Sequence, residues 1–502
     1  MLILNVFVAG MCIMAIEMTA FRLLAPYFGT TQLIITNIIG CILLAIAIGN
    51  WIGGRLGDQY RSARGLSWIL LASAFVGLIV FFATRPILGW AARSLSEQDL
   101  VSFGAALVIT VFLFSIPFIF LGMISPYTVR LMTSHQEHVG RRAGTVFVLG
   151  TLGSLIGTYL PTFVFIPLLG SNKTFLLFIG ILVITAFLGM FRQRSRAGTA
   201  AALGFAALLG LLPMSNVTMD NVIASDESLY NLIQVVEKDE RRLLYLNEGH
   251  GYHSVYHKDR HLVGGVWDYF LALPAMMPRD SEITREDPID VLIVGLAAGT
   301  VSNMYSHFFD GRVRIDGVEI DERITDMARQ HFNLDTSALS IYHEDGRTFL
   351  SRPRGPYDII IVDAYKQPYV PFHLTTREFF QRCRESLKPG GVLGINVATF
   401  DPDSRLLANI QSTMAGVFPE LFRIEIGNFD VNFVNNIIGA SNTTPHTANL
   451  TSRLADIPSS LLRHVEKSLR PVSVKPEDPV FTDDWAPVEW YVDWSLFNFF
   501  ES

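Results

Sequence analysis

The stretch from Asp290 to Asp363 restricts the possible folds more than any other part of the chain. It opens with DVLIVGLAAGT, where the apolar, largely β-branched run Val291 to Val294 is followed by Gly295, Gly299 and Thr300. A short run of that kind passing into a glycine turn reads as a buried parallel strand that leads into a helix. RVRIDGVEID reads as a second strand, ending on Glu319 and Asp321. IYHEDGRTFL supplies Asp345 and Gly346, and the apolar run of YDIIIVDAY ends at Asp363. Three strand ends thus deliver an acid, about 20 residues apart, which is how a doubly wound sheet gathers a ligand site at its carboxyl edge. The glycines let backbone approach a ligand closely. An acid at the end of the second strand, Glu319, can accept from two ribose hydroxyls.

The first 215 residues obey different physics. Apolar residues make up 50% of the 502-residue chain, and its mean hydropathy is +0.35, too apolar for a soluble protein. Runs of membrane-spanning length lie near 3–25, 33–54, 66–84, 101–124, 143–168, 174–191 and 198–214. The first lacks a basic leader and a small-residue cleavage site, so it is not a cleaved signal peptide. Arginines follow the second, fourth and sixth runs (Arg55, Arg61, Arg64; Arg130, Arg141, Arg142; Arg192, Arg194, Arg196), whereas the alternate loops carry only Arg85, Arg93 and Lys173. The positive-inside rule then puts the N-terminus in the cytosol. Seven crossings would place the C-terminal part outside, in conflict with a cytosolic substrate. The reading adopted is an inner (plasma) membrane protein whose C-terminal part is cytosolic.

Glu17 and Arg22 lie within the first run. Ionisable groups there are functional candidates, with a structural pair that locks helices as the competing reading. Gly49/Gly53 and Gly153/Gly157 have the spacing for close helix packing. Pro117, Pro126 and Pro161 are expected to mark kinks or helix ends. The net charge of −7 suggests no nucleic-acid partner. Cys12, Cys41 and Cys383 imply neither a disulfide framework nor a zinc site. His250, His253, His257 and His261 fit no metal cage, so no metal is expected.

Between the halves, LIQVVEKD, RLLYLNEG and HSVYHKD alternate with turn signals and read as antiparallel strands. HLTTREFFQRCRESLKPGGVLGINV reads as a helix, a turn at Pro389–Gly391 and a strand. The expected architecture is a multi-pass α-helical membrane domain of about seven spans (1–215), a small antiparallel β-hairpin domain (216–285) and an α/β doubly wound Rossmann-like domain (286–502).

From Asp226 to Val397, plus a short C-terminal motif, the chain resembles the spermidine synthase family within the class I S-adenosylmethionine-dependent fold. DESLYNLIQVVEKDERRLLYLNEG is similar to the hairpin segment that precedes the family's catalytic domain. VEID, EDG and VDAY resemble its ribose, adenine and catalytic-loop motifs, and TDDWAPVE resembles a motif of membrane-fused homologues. The resemblance implies S-adenosylmethionine, or its decarboxylated form, held by Gly295, Gly299, Glu319, Ile320, Asp345, Gly346 and His250. It implies Asp363 and Tyr365 at the reacting centre. Trp267, Asp268, Tyr269 and Asp484 would face the amine, with Asp483 and Glu489 beside the last.

The chain departs from the family at two points. The first turn carries Ala298 where the family has an acid, and Lys366-Gln367-Pro368 replaces a second aspartate before proline. A dicationic amine would meet fewer carboxylates and an added lysine. The expected reaction is release of methylthioadenosine by an external amine or by the substrate's own amino group. The alternatives are methyl transfer to a hydrophobic acceptor, and a transporter or sensor with a nucleoside-binding domain. The expected partners are the lipid bilayer and a small-molecule amine or none, with a homodimer left open.

Overall fold

A computed structural model describes residues 1–28, 32–96, 100–133, 139–194, 196–211, 221–247, 251–277, 288–352, 354–365, 369–399, 404–427, 434–492 and 494. His250 and Lys366-Gln367-Pro368 lie outside the described residues. The chain divides into two units. One holds residues 1–218 with 226–232 and 247–249, and the other holds 219–225, 233–246 and 250–502.

The first unit is helical: α1 (Leu2–Phe28), α2 (Gln32–Gln59), α3 (Ala63–Ser96), α4 (Leu100–Met132), α5 (Val139–Leu160), α6 (Ile166–Leu169), α7 (Ser171–Arg192) and α8 (Arg196–Leu211). Among the described residues, six helical segments are long and apolar enough to cross a membrane. The seventh expected run falls on α8, whose 16 residues span about 24 Å at 1.5 Å per residue, short of a hydrocarbon core. Helix α4 runs through Pro117 and Pro126 without ending, because backbone freed by proline is tolerated where neighbouring helices surround it. At Pro161 the helix changes to a π turn, Pro161–Phe165.

Helix α2 packs on α4, and α1 packs on α5. At both contacts glycine lets backbone touch backbone. A Cβ on Gly53 would stand 2.5 Å from the Met123 Cα, and one on Gly157 would stand 2.8 Å from the Met11 carbonyl carbon. Glu17 is buried on α1. The Arg22 guanidinium donates to the carbonyls of Ser228 (2.8 Å) and Leu229 and lies 3.8 Å from the Glu227 carboxylate. Glu227 in turn accepts from the Ser171 amide at 2.8 Å and from its hydroxyl. Arg22 therefore serves the hairpin segment included in this unit.

The second unit carries most of a four-stranded sheet, β1 (Val222–Glu227), β2 (Leu232–Lys238), β3 (Arg241–Leu246) and β4 (Tyr252–His257), in sequential order. The short helices α9 (Val266–Phe270) and α10 (Leu273–Met276) follow. Its main sheet has eight strands: β5 (Ile289–Val294), β6 (Val313–Val318), β7 (Leu339–Tyr342), β8 (Tyr357–Val362), β9 (Leu387–Thr399), β10 (Glu420–Ile426), β11 (Val434–Ser441) and β12 (Leu469–Arg470). Their order is β12-β10-β11-β9-β8-β5-β6-β7. Strands β5 to β9 pair in parallel, whereas β11 is antiparallel to β9. The helices after β5, β6, β7 and β8 are α11 (Thr300–Phe308), α12 (Glu322–His331), α13 (Gly346–Leu350) and α14 (Arg377–Ser386). Apolar side chains cover both faces of β5 and β8, which is why those strands read as continuous rather than alternating runs. The chain leaves β5 toward β6 and β7, then returns to β8 and continues to β9. This reversal opens a crevice at the carboxyl ends of β5 and β8.

Candidate active site

The crevice is built from backbone first. Gly295 (φ +91°), Ala297 (φ +47°) and Gly299 (φ +82°) give the turn after β5 its left-handed course. A Cβ on Gly295 would stand 2.6 Å from the Asp363 carbonyl oxygen and 2.7 Å from the Ala364 Cα, so only glycine lets the two strand ends meet. Three side chains fix the turn. Glu319 accepts from the Ala297 amide (2.9 Å), Ser254 accepts from the Ala298 amide (2.9 Å), and the Thr300 hydroxyl accepts from the Val255 amide (2.9 Å). Ala298, at the position where the resembled family carries an acid, is buried.

Glu319 follows β6 and is itself buried. Its second oxygen accepts from the Asp321 amide at 3.1 Å. Burial pushes its pKa up to about 7, against the pull of these backbone N–H groups. The Ile320 amide also donates to this carboxylate, and of its four or so acceptor sites at least one remains. Ile320, next in sequence, is 42% exposed and offers an apolar surface beside the acid.

Asp345 caps the N-terminus of α13, accepting from the amides of Arg347 (3.0 Å) and Thr348 (3.0 Å). Its other oxygen meets His373 Nε2 at 2.8 Å, and that bond holds its carboxyl below the usual range. Gly346 is buried as the first residue of α13. Arg347 donates to the His373 carbonyl (3.1 Å), to the Thr376 hydroxyl (3.1 Å) and to Asp483. In the C-terminal TDD motif it is thus Asp483 that holds the loop after β8, although both Asp483 and Asp484 are exposed.

Asp363 ends β8. Its Oδ2 accepts from the Trp267 indole N–H (3.0 Å) and its Oδ1 from the Asn396 amide (2.9 Å). It keeps some solvent exposure yet sits deep among protein atoms, and that desolvation pushes its pKa up to about 6. Tyr365 donates to the Asn396 carbonyl (3.0 Å) and accepts from the Ala398 amide (2.6 Å), and burial raises its pKa. The phenol therefore ties the loop after β8 to β9. The Tyr252 ring lies 5.9 Å from that of Trp267, and Tyr245 lies 6.2 Å beyond.

Of the expected amine-side cluster, the structure brings only Trp267 to Asp363. Asp268 turns back to accept from the amides of Val263 (2.9 Å) and Gly264 (2.9 Å), and its burial raises its pKa. Tyr269 packs against His464, with ring centroids 5.9 Å apart. Asn396, Ser254 and His373 were not singled out from the sequence. The signal for Asn396 was present as a polar residue inside the otherwise apolar VLGINV. No metal-holding cluster occurs among the described residues.

Glycines at the crevice, an acid after β6 and an acid after β8 are features of a doubly wound, Rossmann-like ligand-binding domain. Within that class, residues 277–437 match the family described as the spermine/spermidine synthase domain. That segment of the chain is thus similar to spermine and spermidine synthases. Similar proteins include a probable polyamine aminopropyl transferase of Bifidobacterium longum (strain NCC 2705), 34% identical over 199 residues, which are 39% of this chain and 42% of that protein. A polyamine aminopropyltransferase of Vibrio vulnificus (strain CMCP6) is 29% identical over 229 residues, covering 44% of this chain and 73% of that one. The chain thus spans less than half the length of the Bifidobacterium relative. Among solved structures, a probable spermidine synthase from Corynebacterium glutamicum ATCC 13032 aligns with a TM-score of 0.41 at 18% identity, over 53% of this chain and 97% of that one.

Proposed function

We propose that the second unit binds S-adenosylmethionine or its decarboxylated form and releases methylthioadenosine by amine attack. When bound, the sulfonium supplies an already activated carbon, so the chain has only to orient, deprotonate and exclude water. Glu319 would accept from the ribose hydroxyls, and Ile320 would lie against the base. Gly295 and Gly299 would bring the turn's backbone close to the nucleoside. Asp345, with both oxygens already engaged, would act on the adenine end through the loop it caps. Asp363 would take the proton as the amine nitrogen bonds to carbon and the carbon–sulfur electron pair leaves with sulfur.

The observation that carries this reading is Asp363 itself. It is a strand-end carboxylate held by two neutral N–H donors, with its pKa raised to about 6. That suits a base working near neutral pH. Ala298 in place of an acid favours a nucleophile with a single charge, either an external amine or the substrate's own amino group, which would close a four-membered ring.

Six crossing-length helices among the described residues suit a membrane protein. An even number of crossings, with the N-terminus cytosolic by the loop arginines, favours a cytosolic catalytic unit. Mass spectrometry of the products made by the full chain from either substrate, with and without diamines, tests the reading. Methylthioadenosine is expected. S-Adenosylhomocysteine alone would make the protein a methyltransferase, and no nucleoside product would overturn the reading.

A further inference from the structure

We infer that Asn396 is a substrate-binding residue: its side-chain oxygen is a second acceptor that, with Asp363, selects an amine nitrogen carrying at least two N–H bonds. The inference rests on the amine-site reading above and adds to it the residue that counts protons on the nitrogen.

The orientation of the amide is set by its neighbour. Asn396 faces Asp363 Oδ1 at 2.9 Å through its nitrogen, the only side-chain atom of Asn396 that can donate to a carboxylate. That leaves its oxygen, Oδ1, on the other arm of the same amide, a little over 2 Å from the nitrogen. Asn396 is 5% exposed, and Oδ1 is buried with no hydrogen-bond partner among the described residues. A buried acceptor left in that state is unfavourable, so it marks a place for a donor. The residue's other groups are accounted for. Its carbonyl accepts from Tyr365, and its backbone lies in β9 opposite Ile437 of β11.

The surroundings suit a nitrogen donor. Asp363 has one neutral donor on each oxygen, from Trp267 and Asn396, and each oxygen retains a lone pair. The Trp267 and Tyr252 rings, 5.9 Å apart, give an aromatic wall on which an ammonium group is favoured. A primary ammonium can donate to Asp363 and to Asn396 Oδ1 together. A tertiary ammonium has one N–H and must leave one acceptor empty.

The test is calorimetric titration of the full chain in lipid nanodiscs with n-butylamine and with N,N-dimethylbutylamine, with and without methylthioadenosine. The wild type is expected to bind the primary amine about tenfold or more tightly than the tertiary one, as for one unsatisfied buried acceptor. In Asn396→Leu the ratio should fall toward one. In the conservative Asn396→Gln, which keeps an amide oxygen together with a nitrogen able to donate to Asp363 and guards against a folding defect, the preference should persist. An unchanged ratio in Asn396→Leu, or none in the wild type, would overturn the inference. Failure of methylthioadenosine to bind would instead remove the nucleoside reading, and the amine series without nucleoside would still be read.

Discussion

The two units use glycine for opposite reasons. In the helical unit, Gly53 and Gly157 have ordinary helical backbones and matter because they lack a side chain: the Met123 and Met11 backbones occupy that space. At the crevice, Gly295 and Gly299 matter for their conformation as well, with φ of +91° and +82°. The first use builds a scaffold whose fault would spread along a helix pair. The second builds one turn against one strand end. The lesson is that a glycine's neighbours, rather than its presence in a motif, say which property a substitution would damage.

The largest expected effect sharpens the contrast by touching chemistry alone. Asp363→Asn keeps the shape and the Trp267 bond but removes the base. Methylthioadenosine release should fall by about 10²- to 10⁴-fold, with nucleoside binding measured by calorimetry retained. In the wild type the rate should rise with pH through about 6 and then level, because Asp363, with its raised pKa, is ionised only above that value. Undiminished release would remove Asp363 from the mechanism.

The glycines come next. Gly295→Ala must push Asp363 and Ala364 apart and adopt a left-handed φ, together about 2–4 kcal/mol. It should abolish activity while the helical unit stays folded. Gly53→Ala should destabilise the helical unit by about 1–3 kcal/mol, seen in thermal unfolding in detergent, whereas Gly54→Ala, with nothing within 4 Å, should not. Equal damage from Gly53→Ala and Gly54→Ala would break the comparison.

The units also differ in what their sequence disclosed. Parallel strands buried on both faces leave continuous apolar runs, so β5 and β8 were legible, whereas β6 alternates through Arg314 and Asp316, and the acids after β6 and β8 came with them. Spans were legible by hydropathy, yet their ends were not. Helices α3 and α4 run on past the apolar windows, and α4 passes through two prolines. Side-chain direction was the part least legible at the site. Trp267, Asp268 and Tyr269 are consecutive, but on a short helix they point to Asp363, to the preceding loop and to His464. Asn396 and Ser254 reach the site through strand pairing and loop closure between distant segments, which no local pattern encodes.

Glu319 tests the acid that the sequence did disclose. Glu319→Gln should weaken nucleoside binding by about 1–3 kcal/mol, the range for one imperfectly matched buried partner. Because burial raises its pKa to about 7 and a ribose diol donates to the ionised form, wild-type affinity should rise with pH up to about 7 and then flatten. Binding near pH 7 should release a proton, measurable by calorimetry in buffers of different ionisation enthalpy. The glutamine variant should lose that slope, and a slope that survives would place the titrating group elsewhere.

The smallest effect separates two adjacent acids. Asp483 accepts from Arg347 and from the Thr376 hydroxyl (2.8 Å), and its amide donates to Glu378 (3.1 Å). Arg347 also holds the His373 carbonyl, and His373 holds Asp345. The Asp483 side chain is 44% exposed, so solvent screens the pair and Asp483→Asn should cost about 0.2–1 kcal/mol. Asp484→Asn should cost nothing measurable, since the bonds to Arg347 and Thr376 are made by Asp483 and Asp484 is exposed beside it. The Asp483 effect should shrink in 1 M salt, where the Debye length is about 3 Å, while a packing defect would not. If Asp484→Asn lowers the unfolding temperature and Asp483→Asn does not, the acid that braces the loop after β8 is the other one. The path from the C-terminal motif through Arg347 and His373 to Asp345 would then have to be redrawn.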